Sequence, residues 1–354
     1  MVRRALIWGT CFAALCFVTR GYVLRDPDSM LYEWIARTLE ARPLSEWIAP
    51  RFPPTWPTQQ GLFQEHFAVF FWPAAALGKL GLRGALAANF AWVLLSYALL
   101  HRLARELEDA ETAWVAVIFF AVSPVGLEYL VRGNHEPALA CAVLGALWCT
   151  ASEKPKPLAL AGFVLLAIAI KGGLGLAIFP ASLAAIWTGR KRRADLIGLL
   201  LGAIFAAAFV GLYELAYRHV AGRGFLAGYL DRQLPGVIEG ERLGLLHKLA
   251  NPVYYLGNIA WFALPGSAAL LVESIRRRSL PWRTLAPAAA YVAVLSLMSR
   301  RAVRYVFPAY PIVNLAGAQL LVERRQALRA WIGAHTQDLE AALALFLVIA
   351  AALR

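Results

Sequence analysis

Charge is scarce in this sequence: only 16% of its 354 residues are Asp, Glu, Lys or Arg, while 60% are apolar. An average soluble domain carries roughly 25% charged and about 45–50% apolar residues, so a water-facing shell around a single core is excluded as the main architecture. Cysteine is scarce as well. The four present, Cys11, Cys16, Cys141 and Cys149, all lie inside apolar runs, where a free thiol behaves as a small hydrophobe; neither a disulfide framework nor a thiolate metal centre is expected. The first apolar run follows Arg3 and Arg4 and lacks a small-residue cleavage site, which makes it a retained span rather than a signal peptide. No internal repeat of the kind that marks inverted-repeat transporters is present either.

What the sequence does have is apolar length. A hydrocarbon core of about 30 Å needs roughly 17–25 apolar residues per helix, and such stretches follow one another along the whole chain. Hydropathy places spans at about 5–23, 84–104, 112–131, 136–152, 157–170, 173–188, 195–217, 252–273, 284–299, 305–322 and 339–353. The reading is an all-α, polytopic integral membrane protein of about eleven transmembrane helices, forming one membrane-embedded unit over 1–354. The net charge of +13 does not imply nucleic acid, because the basic residues sit in short loops between spans and not on a separate module. With a cytoplasmic N-terminus, the loops GRKRRAD, SIRRRS and VERRQALR all fall on the cytoplasmic side, as the positive-inside tendency requires.

Two outer segments, 24–83 and 218–251, then hold most of the polar chemistry expected outside the membrane. In the first, Leu31, Trp34, Ile35, Thr38 and Leu39 repeat at helical spacing, which predicts an amphipathic helix on the membrane surface. The Pro-rich stretch RFPPTWPTQQG breaks it. QEHFAVFFWPAAALGKLGL follows, and its short apolar run suits a re-entrant or interfacial helix; counting it as a span would put every later basic loop outside.

Ionisable groups near hydrocarbon cost roughly 2.5–3.5 kcal/mol on insertion scales and are functional candidates by default. On the expected topology they gather at the outer boundary: Asp26 and Asp28 after the first span, Glu65 and His66 before the re-entrant helix, and His135 and Glu136 opening the fourth span. Lys171 falls between the fifth and sixth spans, and Arg300, Arg301 and Arg304 follow the ninth.

Five segments, in order, resemble the GT-C membrane glycosyltransferases, in the branch of the protein O-mannosyltransferases and the lipid A aminoarabinose transferase. In DSMLYEWIA, Asp28 precedes Tyr32 by one helical turn; Glu65-His66 is followed by Phe71 and Trp72. RGNHEPALACAVLGALW offers Glu136 where the family more often has Asp. KGGLGLAIFP is similar to a Lys-Gly-Pro segment with Gly173 in place of Pro, and RAVRYVFPAYPIVNLAGA to an Arg-Tyr-hydrophobic-Pro segment containing Tyr305.

The resemblance implies transfer of a sugar from a polyprenyl phosphate to a lipid, glycan or protein acceptor, usually with inversion. It places the active site on the outer face of a bacterial inner (plasma) membrane. Asp28 would be the catalytic carboxylate, assisted by Glu136, and Lys171, Arg300, Arg301, Arg304 and Tyr305 would bind the donor phosphate. Asp26, Tyr32, Glu65, His66 and His135 would lie near the substrate. Some relatives use a divalent metal, for which Glu65 with His247 or His219 would be the ligands.

Plainer roles stay open for each residue. Asp28 is also the residue type of a helix N-cap, Asp26 before Pro27 of a turn, and Glu136 before Pro137 of a first-turn acid. Lys171 could snorkel from a helix end, and the arginines could bind lipid headgroups without catalysis. A transporter or lipid flippase would instead show ionisable residues in mid-span and related halves, and a non-catalytic lipid-binding subunit would not need Asp28 and Glu136 in one cavity.

Overall fold

The computed structural model describes residues 2–52, 61–189, 192–233, 245–298 and 301–354. Among these the structure is all-helical, apart from one isolated antiparallel bridge between Arg51 and Leu62. The helices are α1 (Val2–Val18), α2 (Pro27–Glu40), α3 (Trp72–Gly78), α4 (Gly84–Leu107), α5 (Ala110–Val122), α6 (Pro124–Leu130), α7 (Glu136–Ala151) and α8 (Pro157–Lys171). They continue with α9 (Ile178–Thr188), α10 (Arg193–Ala221), α11 (Phe225–Gln233), α12 (Leu245–Phe262), α13 (Gly266–Arg277), α14 (Trp282–Ser296), α15 (Ala309–Arg324) and α16 (Gln326–Ala352).

The centre of the bundle is α7. Its sequence has no polar face after Glu136, and all but two of its 16 residues are buried. Small residues let neighbouring helices approach closely: a Cβ on Gly145 would overlap the Phe163 ring of α8 at 2.3 Å. Likewise α13 crosses α15 backbone to backbone, because a Cβ on Gly317 would lie 2.1 Å from the Gly266 carbonyl oxygen. At the periphery, α10 presents Leu196, Leu200, Ile204, Leu212 and Leu215 outward, an apolar face suited to lipid.

This is an integral membrane protein with several apolar helices. Four helical runs are long and apolar enough to cross a bilayer, or six if each of two bent pairs is one span. Eleven crossings are not established by length: α7 and α15 have 16 residues each and α14 has 15, against about 20 for a perpendicular helix. One of the four runs joins α8 to α9, yet the chain doubles back within it. A 3-10 turn over Gly172–Ala177 separates the two helices. Arg192, just past α9, donates to the Thr150 carbonyl at 2.8 Å and to the Glu153 carbonyl at 3.1 Å, both ahead of α8. Lys171 therefore stands at an apex. The bends have local causes: α5 meets α6 at 65° where Pro124 lacks an N–H and Ser123 caps Gly126, and α12 meets α13 at 105° at Pro265.

The described residues 24–52 and 61–79 form a cap over the Lys171 end. Ala68–Phe71 is a short 3-10 turn leading into α3, and together they make an eleven-residue apolar stretch too short to cross. The face of α2 expected to lie on the membrane is instead buried in protein. Leu31, Tyr32, Ile35 and Leu39 pack with Trp47, Phe52, Phe63 and Phe71 in one cluster. Periodicity reports that a face is apolar; these aromatics cover it before lipid can. The buried Glu33 on the same helix accepts the Ala85 N–H at the start of α4 at 3.0 Å and pairs with Arg37, which fixes the cap to the bundle.

Candidate active site

Asp26, not Asp28, is the N-cap of α2: its Oδ1 accepts the Ser29 N–H at 3.0 Å, with Pro27 opening the helix. Asp28 lies one step inside the first turn and is left with its carboxylate facing outward, paired with the Arg304 guanidinium. Arg304 comes from the 3-10 turn Val303–Val306 that precedes α15. Ser29 anchors this end of α2 sideways, since its hydroxyl accepts the Gly133 N–H at 2.8 Å in the loop leading to Glu136.

Behind that contact Lys171, at the end of α8, reaches the head of α7. Its Nζ is 3.3 Å from Glu136 Oε1, and both side chains are almost fully buried, at 6% and 2% exposure. The second Glu136 oxygen has no partner in protein. The preceding residue, His135, is wholly buried between aromatic rings: Phe70 stacks on it at 3.8 Å, Tyr32 meets it edge-on at 4.3 Å, and His66 lies 4.5 Å away.

These elements enclose a cavity of about 220 Å³. Asp28, Tyr32, Glu65, His66, Lys171, Arg304 and Tyr305 are on its wall. Burial is the main cause that pushes the Tyr32 phenol well above its ordinary value, followed by the charge of Glu136 and of Glu65, so it stays a neutral donor. Burial, then the Lys171 cation, holds the His66 imidazole well below its ordinary value, so that ring is neutral at pH 7.

Other candidates are placed apart from the wall. Glu136 and His135 stand behind it, Glu136 holding Lys171 and His135 supporting Tyr32 and His66. Arg301 lies over the Tyr254 ring at 5.6 Å, off the cavity. Arg300 and the side chain of His247 lie outside the described residues. His219 is exposed at the end of α10. Among the described residues there is no group of three or more His, Cys, Asp and Glu placed to hold a metal ion.

Several wall residues carried no sequence signal of their own: Leu174, Gln233 and Met298. Tyr229 was better marked. Its hydroxyl accepts the Gly173 N–H at 2.7 Å and docks α11 over the Lys171 apex. Gly172 has φ +54°, and a Cβ there would lie 2.4 Å from the Tyr229 hydroxyl, so the Gly-Gly pair after Lys171 is the feature that could have located this lid.

The overall fold is similar to that of solved structures. ArnT from Cupriavidus metallidurans bound to undecaprenyl phosphate superposes with a TM-score of 0.68 at 16% identity, over 92% of this chain and 61% of that one. The chain shares the fold of this ArnT. The oligosaccharyltransferase of Archaeoglobus fulgidus in its apo form is similar in fold, at a TM-score of 0.57 and 15% identity, covering 98% of this chain and 54% of its own. The same enzyme tethered to an acceptor peptide gives 0.55 at 16%, over 98% of this chain and 53% of that one. Residues 66–213 match the family described as dolichyl-phosphate-mannose-protein mannosyltransferase. No curated protein sequence matches the chain. The chain spans about three fifths of the length of the ArnT chain.

Proposed function

We propose that this protein is a GT-C glycosyltransferase that moves a sugar from a polyprenyl-phosphate donor to a hydroxyl-bearing lipid, glycan or protein acceptor, with inversion. The observation that carries the reading is that Asp28, Lys171 and Arg304, from three distant segments, line one cavity. Its support from outside the chain is the undecaprenyl phosphate bound to the ArnT of the same fold and the acceptor peptide tethered to the oligosaccharyltransferase.

In the proposed reaction the acceptor oxygen bonds to the anomeric carbon as the bond from that carbon to the phosphate oxygen breaks on the opposite face. Asp28 takes the acceptor's proton, and Lys171 and Arg304 balance the charge on the departing lipid phosphate. Before donor binds, Arg304 neutralises Asp28. A donor phosphate competes for that guanidinium, and its arrival frees Asp28 to act as base; both steps then depend on one ion pair. Glu136 pairs with the buried Lys171 and aims it, and so acts through it.

The proposed membrane path has eleven crossings with the N-terminus cytoplasmic, which puts the cavity on the outer side of the inner membrane. The short helices α7, α14 and α15 cross within the shelter of their neighbours. The test is reconstitution in liposomes with a panel of polyprenyl-phosphate sugars, comparing the wild type with Asp28→Asn and adding a chelator arm for metal use. Consumption of at least one donor by the wild type alone is expected. Equal consumption by Asp28→Asn removes Asp28 from the role of base, and consumption of no donor favours the transporter or lipid-binding readings.

A further inference from the structure

At the end of the bundle opposite Lys171 lies a second cavity of about 350 Å³, larger than the first. It opens between the start of α1, the last turns of α4, the start of α5, and α16. Its chemistry is divided. Leu94, Ala98 and Val117 make an apolar wall, while Arg4 and Arg102 stand at the rim. From Leu94 to Arg102 the α4 helix rises about 12 Å, a depth suited to the upper part of an acyl chain.

Access is from the side. Among the described residues of α1 none before Cys11 is buried, whereas Cys11 and Leu15 are, so at this end α1 packs on α16 with one side uncovered and leaves the cleft open laterally. The rim has one positive charge in excess. Glu340 is consumed by Arg4 at 3.1 Å and by the Trp8 indole N–H at 3.0 Å, and Arg102 faces no carboxylate there but lies over the Trp148 ring at 5.3 Å. Two buried polar atoms of cavity-lining residues, the Tyr97 hydroxyl and His101 Nε2, have no partner in protein. Unmet polar atoms beside an apolar slot and a cationic rim ask for a ligand with both characters.

We infer that this cavity binds one anionic phospholipid of the adjacent leaflet, its phosphodiester on Arg4 and Arg102 and one acyl chain along Leu94 and Ala98. The diester's single negative charge matches the excess at the rim, and a zwitterionic headgroup does not. The site is separate from the proposed donor site and does not depend on the protein being a transferase.

Native mass spectrometry of the purified protein, titrated with phosphatidylglycerol, phosphatidylcholine of the same chains, or inorganic phosphate, tests it. One phosphatidylglycerol should be retained that phosphatidylcholine does not displace, and inorganic phosphate should not bind. Arg102→Ala should weaken retention by on the order of fivefold or more. Ala98→Trp fills the slot from an exposed position on α4 and should abolish retention while leaving the thermal midpoint in detergent unchanged. Retention of phosphatidylglycerol by Ala98→Trp as by the wild type, or equal retention of the two lipids, overturns the proposal. Competition by inorganic phosphate alone overturns the acyl-chain half of it.

Discussion

Lys171 Nζ and Glu136 Oε1 stand 3.3 Å apart with both side chains withdrawn from solvent, so that the cation facing the cavity is held by an acid that the cavity does not reach. Removing one charge of such a pair leaves the other buried and unmatched, at a cost of about 3–5 kcal/mol. Glu136→Gln should therefore lower the thermal midpoint strongly, and Lys171→Met combined with Glu136→Met should recover most of that loss without recovering turnover. Thermal unfolding and transfer assays on the same preparations check both halves. A double variant as unstable as Glu136→Gln would contradict the pairing.

Asp28→Asn removes the proposed base and also releases Arg304. Transfer should drop by about 10²–10⁴-fold, the usual contribution of a positioned general base, while binding of unglycosylated polyprenyl phosphate tightens, because a neutral amide competes less for the guanidinium. Equilibrium binding beside the transfer assay separates the two effects; weaker phosphate binding in this variant would contradict the proposed exchange.

The His66 ring titrates well below its ordinary value of 6.5, first because it is buried and then because Lys171 lies near. Just below pH 6.5 the unfolded chain then holds more protons than the folded one, so unfolding free energy decreases as pH falls through that value and continues to do so down to the folded-state pKa. Chemical denaturation between pH 8 and 5 should show this fall, shallower in His66→Gln than in the wild type. Parallel slopes would show that His66 is protonated alike in both states.

Gly172→Ala puts a side chain at φ +54° and into the Tyr229 hydroxyl. Strain of order 1–3 kcal/mol and displacement of α11 should raise KM and expose α11 to protease. Gly162→Ala is the control, because a Cβ there meets nothing within 4 Å. Equal behaviour of the two variants would remove α11 from the site.

The sequence disclosed the helical class, the short apolar stretch over Ala68–Gly78 and the clustering of ionisable residues at span ends, because hydrocarbon imposes strong rules on length and charge. It did not disclose what covers an apolar face. The Leu31, Ile35 and Leu39 stripe reads alike whether lipid or Phe63 and Phe71 lie against it. Nor could spacing separate Asp26 from Asp28 at the head of α2. Both residue types suit a cap, and only the backbone turn before Pro27 decides that Asp26 takes it and Asp28 is left for Arg304. Glu136 was expected to share the cavity with Asp28 as a second catalytic carboxylate; it stands instead behind Lys171, because of where α8 ends relative to α7, a tertiary relationship with no local trace. Gln233 and Met298 reach the cavity for the same kind of reason.

Binding of undecaprenyl phosphate, without sugar, to the purified protein tests the convergence of these charges most directly. Lys171→Met and Arg304→Ala should each weaken it by about tenfold or more, in keeping with the loss of a charge-assisted contact of roughly 1.5–3 kcal/mol, and together should abolish it. Affinity in the double variant equal to that of the wild type would mean that the cavity does not receive the lipid phosphate, and the account would fail.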